Sequence, residues 1–259
     1  MPGVTSNDGT VIGFDRRGGG PALILIDGAL CSRAFGPMPK LAPLLADRCT
    51  VYTYDRRGRN ASGDTPPYAV EREIEDLQAL IGEAGGSASL LGLSSGAALA
   101  LEAAAAGLPI DRVVAYEPPY VNDGTAANGH EAQLQALVAS GDRGGAVQYF
   151  MRDMVGVPAP AVVMMRLMFW IWPKLKAVAH TLPYDAAVMR GFQVPAERLA
   201  SIRVPLLAAY GSKTDPRLVR ATRAVAQAVP GAQLQVLEGQ THNVRPDVLA
   251  PRVMEFLGR

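Results

Sequence analysis

Short, unbroken apolar runs alternate with amphipathic stretches along most of this chain. Ala22-Leu23-Ile24-Leu25-Ile26 is such a run and stops at Asp27-Gly28; Cys49 to Tyr54 is another and stops at Asp55. Ala88 to Leu93, Val113 to Tyr116 and Leu206 to Tyr210 repeat the pattern, and Gln233 to Leu237 reads as a last short strand. Runs of this length bounded by turn formers predict strands covered on both faces. Between them, Glu71 to Glu83 carries Ile74, Leu77, Leu80 and Ile81 at helical spacing and ends at Gly85-Gly86. An Ala-rich stretch from Ala97 to Ala106 and a last helix ending near Phe256 complete the alternation. That rhythm predicts an α/β fold with a doubly wound, mainly parallel sheet, whose reactive groups gather at the carboxyl ends of the strands.

The alternation breaks between Pro119 and Leu199, where helical spacing replaces strand runs. A long excursion that leaves the sheet after one strand and rejoins it at the next predicts an inserted helical cap, residues 119–199, on a core formed by 1–118 and 200–259. The cap is rich in soft apolar side chains: Met164, Met165, Met168, Phe169, Trp170 and Trp172, with Met151, Met154 and Met189 on either side. Methionine with aromatics makes an adaptable, water-excluding wall. Met168 and Trp170 are therefore candidates for contact with a hydrophobic or aromatic substrate.

One motif within this frame carries chemistry. Gly92-Leu93-Ser94-Ser95-Gly96 lies between a predicted strand and the Ala-rich helix. A strand that turns at once into a helix holds its central residue in a strained conformation, and glycines two positions to either side leave room for it. Ser94 is then lifted clear of the sheet as a candidate nucleophile, and the Ser95 N–H, at a helix N-terminus, is placed to stabilise a developing oxyanion. The plainer alternative is a flexible strand-to-helix connection with a surface serine. A serine nucleophile needs a base, and the chain offers His130, His180 and His242. His242 lies between the last predicted strand and the last helix, at the reactive sheet edge, whereas His130 and His180 fall in the cap. Three scattered histidines make no metal site.

Taken together, these features resemble the α/β-hydrolase family over essentially the whole chain. Asp27-Gly28-Ala29-Leu30 stands where that family carries its oxyanion loop, and Asp55-Arg56-Arg57-Gly58-Arg59-Asn60-Ala61-Ser62 is similar to its Asp-x-Arg-Gly-x-Gly-x-Ser loop. The resemblance implies that the Ala29 N–H completes the oxyanion hole with that of Ser95. Two departures stand out: Asp27 replaces the usual histidine, and Asn60 replaces a glycine. In the family the acid that orients the histidine usually follows the strand ending at Gly211, which points to Asp215, one residue beyond the commonest spacing. Its rival is Glu117, at the end of the preceding strand. Asp215 could instead cap the helix beginning Pro216-Arg217-Leu218, and Glu117 could pair with an arginine.

The function this implies is acyl transfer through an acyl-serine, cleaving an ester, thioester or lactone of a small hydrophobic or aromatic substrate without a cofactor. The alternatives on the same scaffold are a non-hydrolytic cyclase, lyase or perhydrolase, and a ligand receptor derived from a hydrolase. Composition narrows the partners. With 49% hydrophobic and 19% charged residues and a formal net charge of +1, the chain has the balance of a folded domain with neither nucleic acid nor a membrane surface as partner. Two cysteines, Cys31 and Cys49, make no disulfide framework, and Met1 to Arg17 does not read as a secretory leader, so the expected setting is cytoplasmic. Ala161 to Pro173 is too short for a membrane span and contains Arg166. Gly211-Ser212-Lys213-Thr214 lacks the earlier glycine of a phosphate loop. Arg56-Arg57-Gly58-Arg59 is expected to be solvated or paired with Asp55 and glutamates.

Overall fold

The computed structural model describes residues 2–121 and 129–258, so part of the expected cap, 122–128, lies outside the described residues. The strands are β1 (Gly3–Thr5), β2 (Val11–Arg17), β3 (Ala22–Ile26), β4 (Thr50–Tyr54), β5 (Ala88–Leu93), β6 (Ile110–Tyr116), β7 (Leu206–Gly211) and β8 (Gln233–Leu237). Among the described residues they form one eight-stranded sheet in the order β1-β2-β4-β3-β5-β6-β7-β8. The pairs β1/β2 and β2/β4 are antiparallel, and every pair from β4 to β8 is parallel. The parallel strands coincide with the apolar runs. The antiparallel strands β1 and β2 at the start of the sheet have no such run, and in β2 Ile12, Gly13 and Phe14 are buried while Asp15, Arg16 and Arg17 face solvent.

Side-chain alternation along each parallel strand supplies two cores. Leu23, Leu25, Leu91 and Val114 point to one face, covered by α1 (Met38–Leu45) and α11 (Pro246–Phe256). Ile24, Ile26, Leu90 and Val113 point to the other, covered by α2 (Val70–Glu83), α3 (Ser95–Ala105) and α10 (Pro216–Ala228). A period of two thus divides each strand between two layers of helices.

The chain from β6 to β7 is helical where described: α4 (His130–Ala139), α5 (Arg143–Tyr149), a π-helical turn at Phe150–Met154, α6 (Ala159–Leu167), α7 (Trp172–Val178), α8 (Leu182–Val188) and α9 (Ala196–Leu199). Leu134, Val147, Leu175 and Leu182 from this insertion belong to the same buried cluster as α2 and α3. The cap is therefore bound to the core through apolar packing as well as through the chain. α6 is the exception, with Val162 its buried residue and Val163, Met164 and Leu167 exposed.

Leu77 of α2 is fully buried in that shared cluster. Leu77→Ala is expected to cost about 2–5 kcal/mol of unfolding free energy, read from urea denaturation midpoints; a loss well below that range would mean the cluster can collapse around the missing atoms.

Candidate active site

The sheet brings the chemistry-bearing residues to one end. Ser94 closes β5 and precedes α3 with φ 55° and ψ −125°, a conformation that costs energy for any residue with a side chain. Close packing on both sides enforces the turn. A Cβ at Gly92 would come 2.6 Å from the Ala97 Cα, and one at Gly96 would run into the carbonyl oxygens of Ile26 and Asp27. The Ser94 N–H donates to the Tyr116 carbonyl at 2.9 Å, tying the turn to the end of β6. Ser95 begins α3, so its N–H has no partner within the helix, and neither it nor the Ala29 N–H donates to an acceptor among the described residues. Ala29, Ser94, Ser95 and His242 all line one cavity of about 280 Å³.

The carboxylate on His242 is that of Glu117. Its Oε2 accepts from His242 Nδ1 at 2.6 Å and from the Thr214 hydroxyl at 2.9 Å, and its Oε1 accepts from the Gly211 N–H at 2.8 Å. Glu117 is completely buried and sits at φ 49°, at the end of β6. The Tyr116 hydroxyl beside it donates to the Thr241 carbonyl at 2.6 Å and holds the histidine loop against the sheet. Because an ionised carboxylate only accepts, the hydrogen bond assigns the proton to Nδ1 and leaves the Nε2 lone pair available. Ser94 and His242 face the same cavity without a hydrogen bond between them, a geometry common before a substrate is bound.

Asp215 does not take that place. It caps α10, accepting from the Arg217 N–H at 2.8 Å and pairing with the Arg217 guanidinium at 2.8 Å, and these hydrogen bonds hold its carboxyl below the usual range against the opposing effect of burial. Met168 and Trp170 are also displaced from their expected role, since neither lines the cavity. Trp170 is 53% exposed and Phe169 is 79% exposed, edge to face with each other on the outer side of the cap. The apolar wall comes instead from Phe150, Met154, Val155, Met189, Phe192 and Leu218. Phe150 and Met154 lie on the π-helical turn that precedes α6, while Val163, Met164 and Leu167 of α6 are exposed. His130 bonds through Nδ1 to the Tyr149 hydroxyl at 2.7 Å, and His180 lies 3.9 Å from Asp64, its pKa lowered by burial; neither lines the cavity. No group of three His, Cys, Asp or Glu side chains among the described residues could hold a metal ion.

The basic loop is paired with a glutamate as one of the two expectations had it, but it is buried rather than solvated, and Asp55 pairs with Arg33 outside it. Arg56, Arg57 and Arg59 are among the most completely buried large side chains of the protein. Arg56 makes a two-pronged pair with Glu73 at 2.7 Å and bonds to Asp185 of α8 at 2.6 Å; Arg59 grips both oxygens of Asp185 at 2.9 and 2.8 Å. Arg57 pairs with Asp76 and Asp8 at 2.6 Å each, while Asp55 pairs with Arg33 at 2.8 Å. Burial works to raise the Asp185 pKa, but Arg59 and Arg56 hold it below the usual range. Arginine codes read alone cannot announce this, because the acidic partners lie far along the chain.

Comparison with known proteins agrees with the architecture. The model of the alpha/beta hydrolase family matches residues 18–252. The chain belongs to the alpha/beta hydrolase family. An alpha/beta hydrolase from Sphaerobacter thermophilus DSM 20745 shares 49% sequence identity with it over 99% of this chain and 100% of that one, with a TM-score of 0.92. More distant structures share the fold: an enol-lactonase from Burkholderia xenovorans LB400 (20% identity, 100% of each chain, TM-score 0.76) and a thermophilic esterase from Thermogutta terrifontis (19% identity, 99% of this chain and 97% of that one, TM-score 0.77). No curated protein matches the chain. Among the described residues no helix is long and apolar enough to cross a membrane.

Asp27, the family departure in the oxyanion loop, is 2% exposed, and neither carboxyl oxygen has a hydrogen-bond partner among the described residues. Burial raises its pKa well above the usual 3.8, aided by Asp55 and opposed by Arg59 and Arg56. The folded protein then retains a proton that the unfolded chain releases, so this residue draws down stability as pH rises above about 4. Asp27→Asn is expected to melt near the native temperature at pH 4 and progressively above it toward pH 8. Thermal melts across that range test it, and a gap that does not widen with pH would show that Asp27 titrates alike in both states.

Proposed function

We propose that this hydrolase-family protein is a serine hydrolase that cleaves an ester, thioester or lactone of a small hydrophobic or aromatic acid through an acyl-serine. The observation that carries the reading is the 2.6 Å hydrogen bond from His242 Nδ1 to the buried Glu117, in a loop that shares a cavity with the strained Ser94. In this reading His242 Nε2 takes the Ser94 hydroxyl proton as Oγ attacks the substrate carbonyl carbon, and Glu117 stabilises the imidazolium that forms. The carbonyl π electrons move onto oxygen, which the Ala29 and Ser95 amides receive. Collapse of the tetrahedral intermediate expels the alcohol, thiol or lactone hydroxyl, which takes the proton from Nε2. Water, deprotonated by the same nitrogen, then releases the acid and restores Ser94. Phe150, Met154, Met189 and Phe192 support an apolar substrate, because such a wall excludes water and supplies few polar partners.

With an aryl-ester substrate, Ser94→Ala and His242→Ala are each expected to lower kcat by about 10³-fold or more, without additivity, since the two act as a unit. Glu117→Gln is expected to fall by about 10²–10⁴-fold by loss of the oriented imidazole, whereas Asp215→Asn should stay within a few-fold of native. Steady-state kinetics decide this, and a Ser94→Ala variant with native kcat would refute covalent serine catalysis. Substrate preference tests the wall: Phe192→Ala should change chain-length or ring preference, and Trp170→Ala should leave the profile as it is.

A further inference from the structure

Ala29 and Ser95 both line the cavity, and their backbone N–H groups serve an oxyanion only if both point at the same atom; Ser95 is fixed by its helix, whereas Ala29 belongs to a loop. The peptide unit between Gly28 and Ala29 is trans, so its carbonyl oxygen and the Ala29 N–H point in opposite directions. Whatever holds that oxygen therefore aims that N–H. Arg59 holds it: Arg59 Nη1 donates to the Gly28 carbonyl at 2.7 Å and to the Cys31 carbonyl at 3.0 Å, gripping the loop on both sides of Ala29. Reversal of the peptide would bring the carbonyl oxygen into the cavity and remove a charge-assisted hydrogen bond from a buried guanidinium.

Arg59 is itself fixed from the cap. Its Nη2 contacts both oxygens of Asp185 at 2.9 and 2.8 Å, and its Nε donates to the Thr181 hydroxyl at 3.1 Å. The same Asp185 Oδ1 accepts from the Ser95 hydroxyl at 2.7 Å. One fully buried carboxylate on α8 thus reaches the residue that carries the second amide directly, and the peptide that carries the first through a single arginine. Arg56 completes the set, with Nη1 on Asp185 Oδ1 at 2.6 Å and on the Ser95 hydroxyl at 3.2 Å.

We propose that Asp185 and Arg59 are positioning residues that set the Gly28–Ala29 peptide and Ser95 in register, so that docking of cap helix α8 assembles the oxyanion hole. The inference rests on the acyl-transfer reading above. Neither side chain lines the cavity, so each acts through the amides it aims. The cap then does more than wall the substrate: a chain with α8 undocked retains Ser94, Glu117 and His242 but not the paired amides.

The experiment compares native protein, Asp185→Asn and Arg59→Lys. Asparagine keeps the shape and an acceptor for Ser95 but removes the charge that orients Arg59. Lysine keeps a charge but cannot span Asp185 and the Gly28 carbonyl together. The readouts are kcat and KM for an aryl ester, affinity for an arylboronic acid that forms a tetrahedral adduct on Ser94, and thermal melting. The expected result, in variants that melt cooperatively, is a fall in kcat of about 10²–10³-fold, the scale of a lost oxyanion donor. KM should stay within a few-fold, and boronate affinity should weaken in step with kcat. A folded variant with kcat and boronate affinity within three-fold of native overturns the proposal, as does a fall in kcat with unchanged boronate affinity. Should Asp185→Asn fail to fold, Arg59→Lys and Ser95→Ala carry the test, the latter removing the hydroxyl arm while keeping its amide; a three-fold or smaller effect in both overturns it equally. Native protein, with Ser94→Ala as the control for adduct formation at Ser94, separates the two levels. If native protein neither turns over esters nor takes boronate at Ser94, the acyl-transfer reading fails; if it does both and the clamp variants match it, only the positioning role fails.

Discussion

Arg56, Arg59, Glu73 and Asp185 form a cluster of four charges excluded from water where the cap meets the sheet. Two guanidinium groups face two carboxylates, so the charges balance, and hydrogen bonds satisfy the remaining capacity of each arginine on the Gly28, Cys31 and Asp27 carbonyls. Burial of such a set costs several kcal/mol per ion before the partners compensate, and loss of any single partner leaves a charge stranded in a low dielectric. The arrangement therefore specifies one seating of the cap more strongly than it adds to net stability. Asp27 lies beside this set, and burial raises its pKa although Arg59 and Arg56 oppose the shift.

The candidate catalytic residues depend on close backbone contact. Ser94 and Glu117 both adopt positive φ without being glycine, a strain of about 1–3 kcal/mol each that persists only where surroundings leave no alternative. At Ser94 the surroundings are the Ile26 and Asp27 carbonyls against Gly96 and the α3 backbone against Gly92. At Glu117 they are three hydrogen bonds to its carboxylate, from Gly211, Thr214 and His242. The site is thus assembled from the ends of β5, β6 and β7 and the loop after β8, each held by a neighbour rather than by its own sequence.

The cap has two apolar faces of different character. Its inner face joins the core cluster and supplies Phe150, Met154, Met189 and Phe192 to the cavity. Its outer face leaves Val163, Met164, Leu167, Phe169 and Trp170 largely in solvent, with Arg166 over the ring of Trp172 among them. Apolar content alone does not distinguish a cavity wall from a surface, and the denser run of methionine and aromatic residues turned out to be the surface.

Much of the fold is legible in the chain because it is written at short range. Apolar runs specify strands β3 to β7, the period of Ile74, Leu77, Leu80 and Ile81 specifies α2, and Gly92 and Gly96 around Ser94 specify the strand-to-helix turn, since each signal lies within one turn or one strand. The antiparallel strands β1 and β2 are missed because half-exposed strands carry little apolar signal. What the tertiary structure alone decided are the pairings between distant residues. Glu117 and His242 are 125 residues apart and Arg56 and Asp185 are 129 apart, so no local period ties them. Asp215 satisfies the sequence pattern for the acid as well as Glu117 does, and only the fold shows that Arg217 and the start of α10 occupy it. Hydrophobic periodicity is a property of neighbours in sequence and determines elements; the choice of a charge's partner depends on distance and dielectric in the folded state, which exist only after those elements have packed.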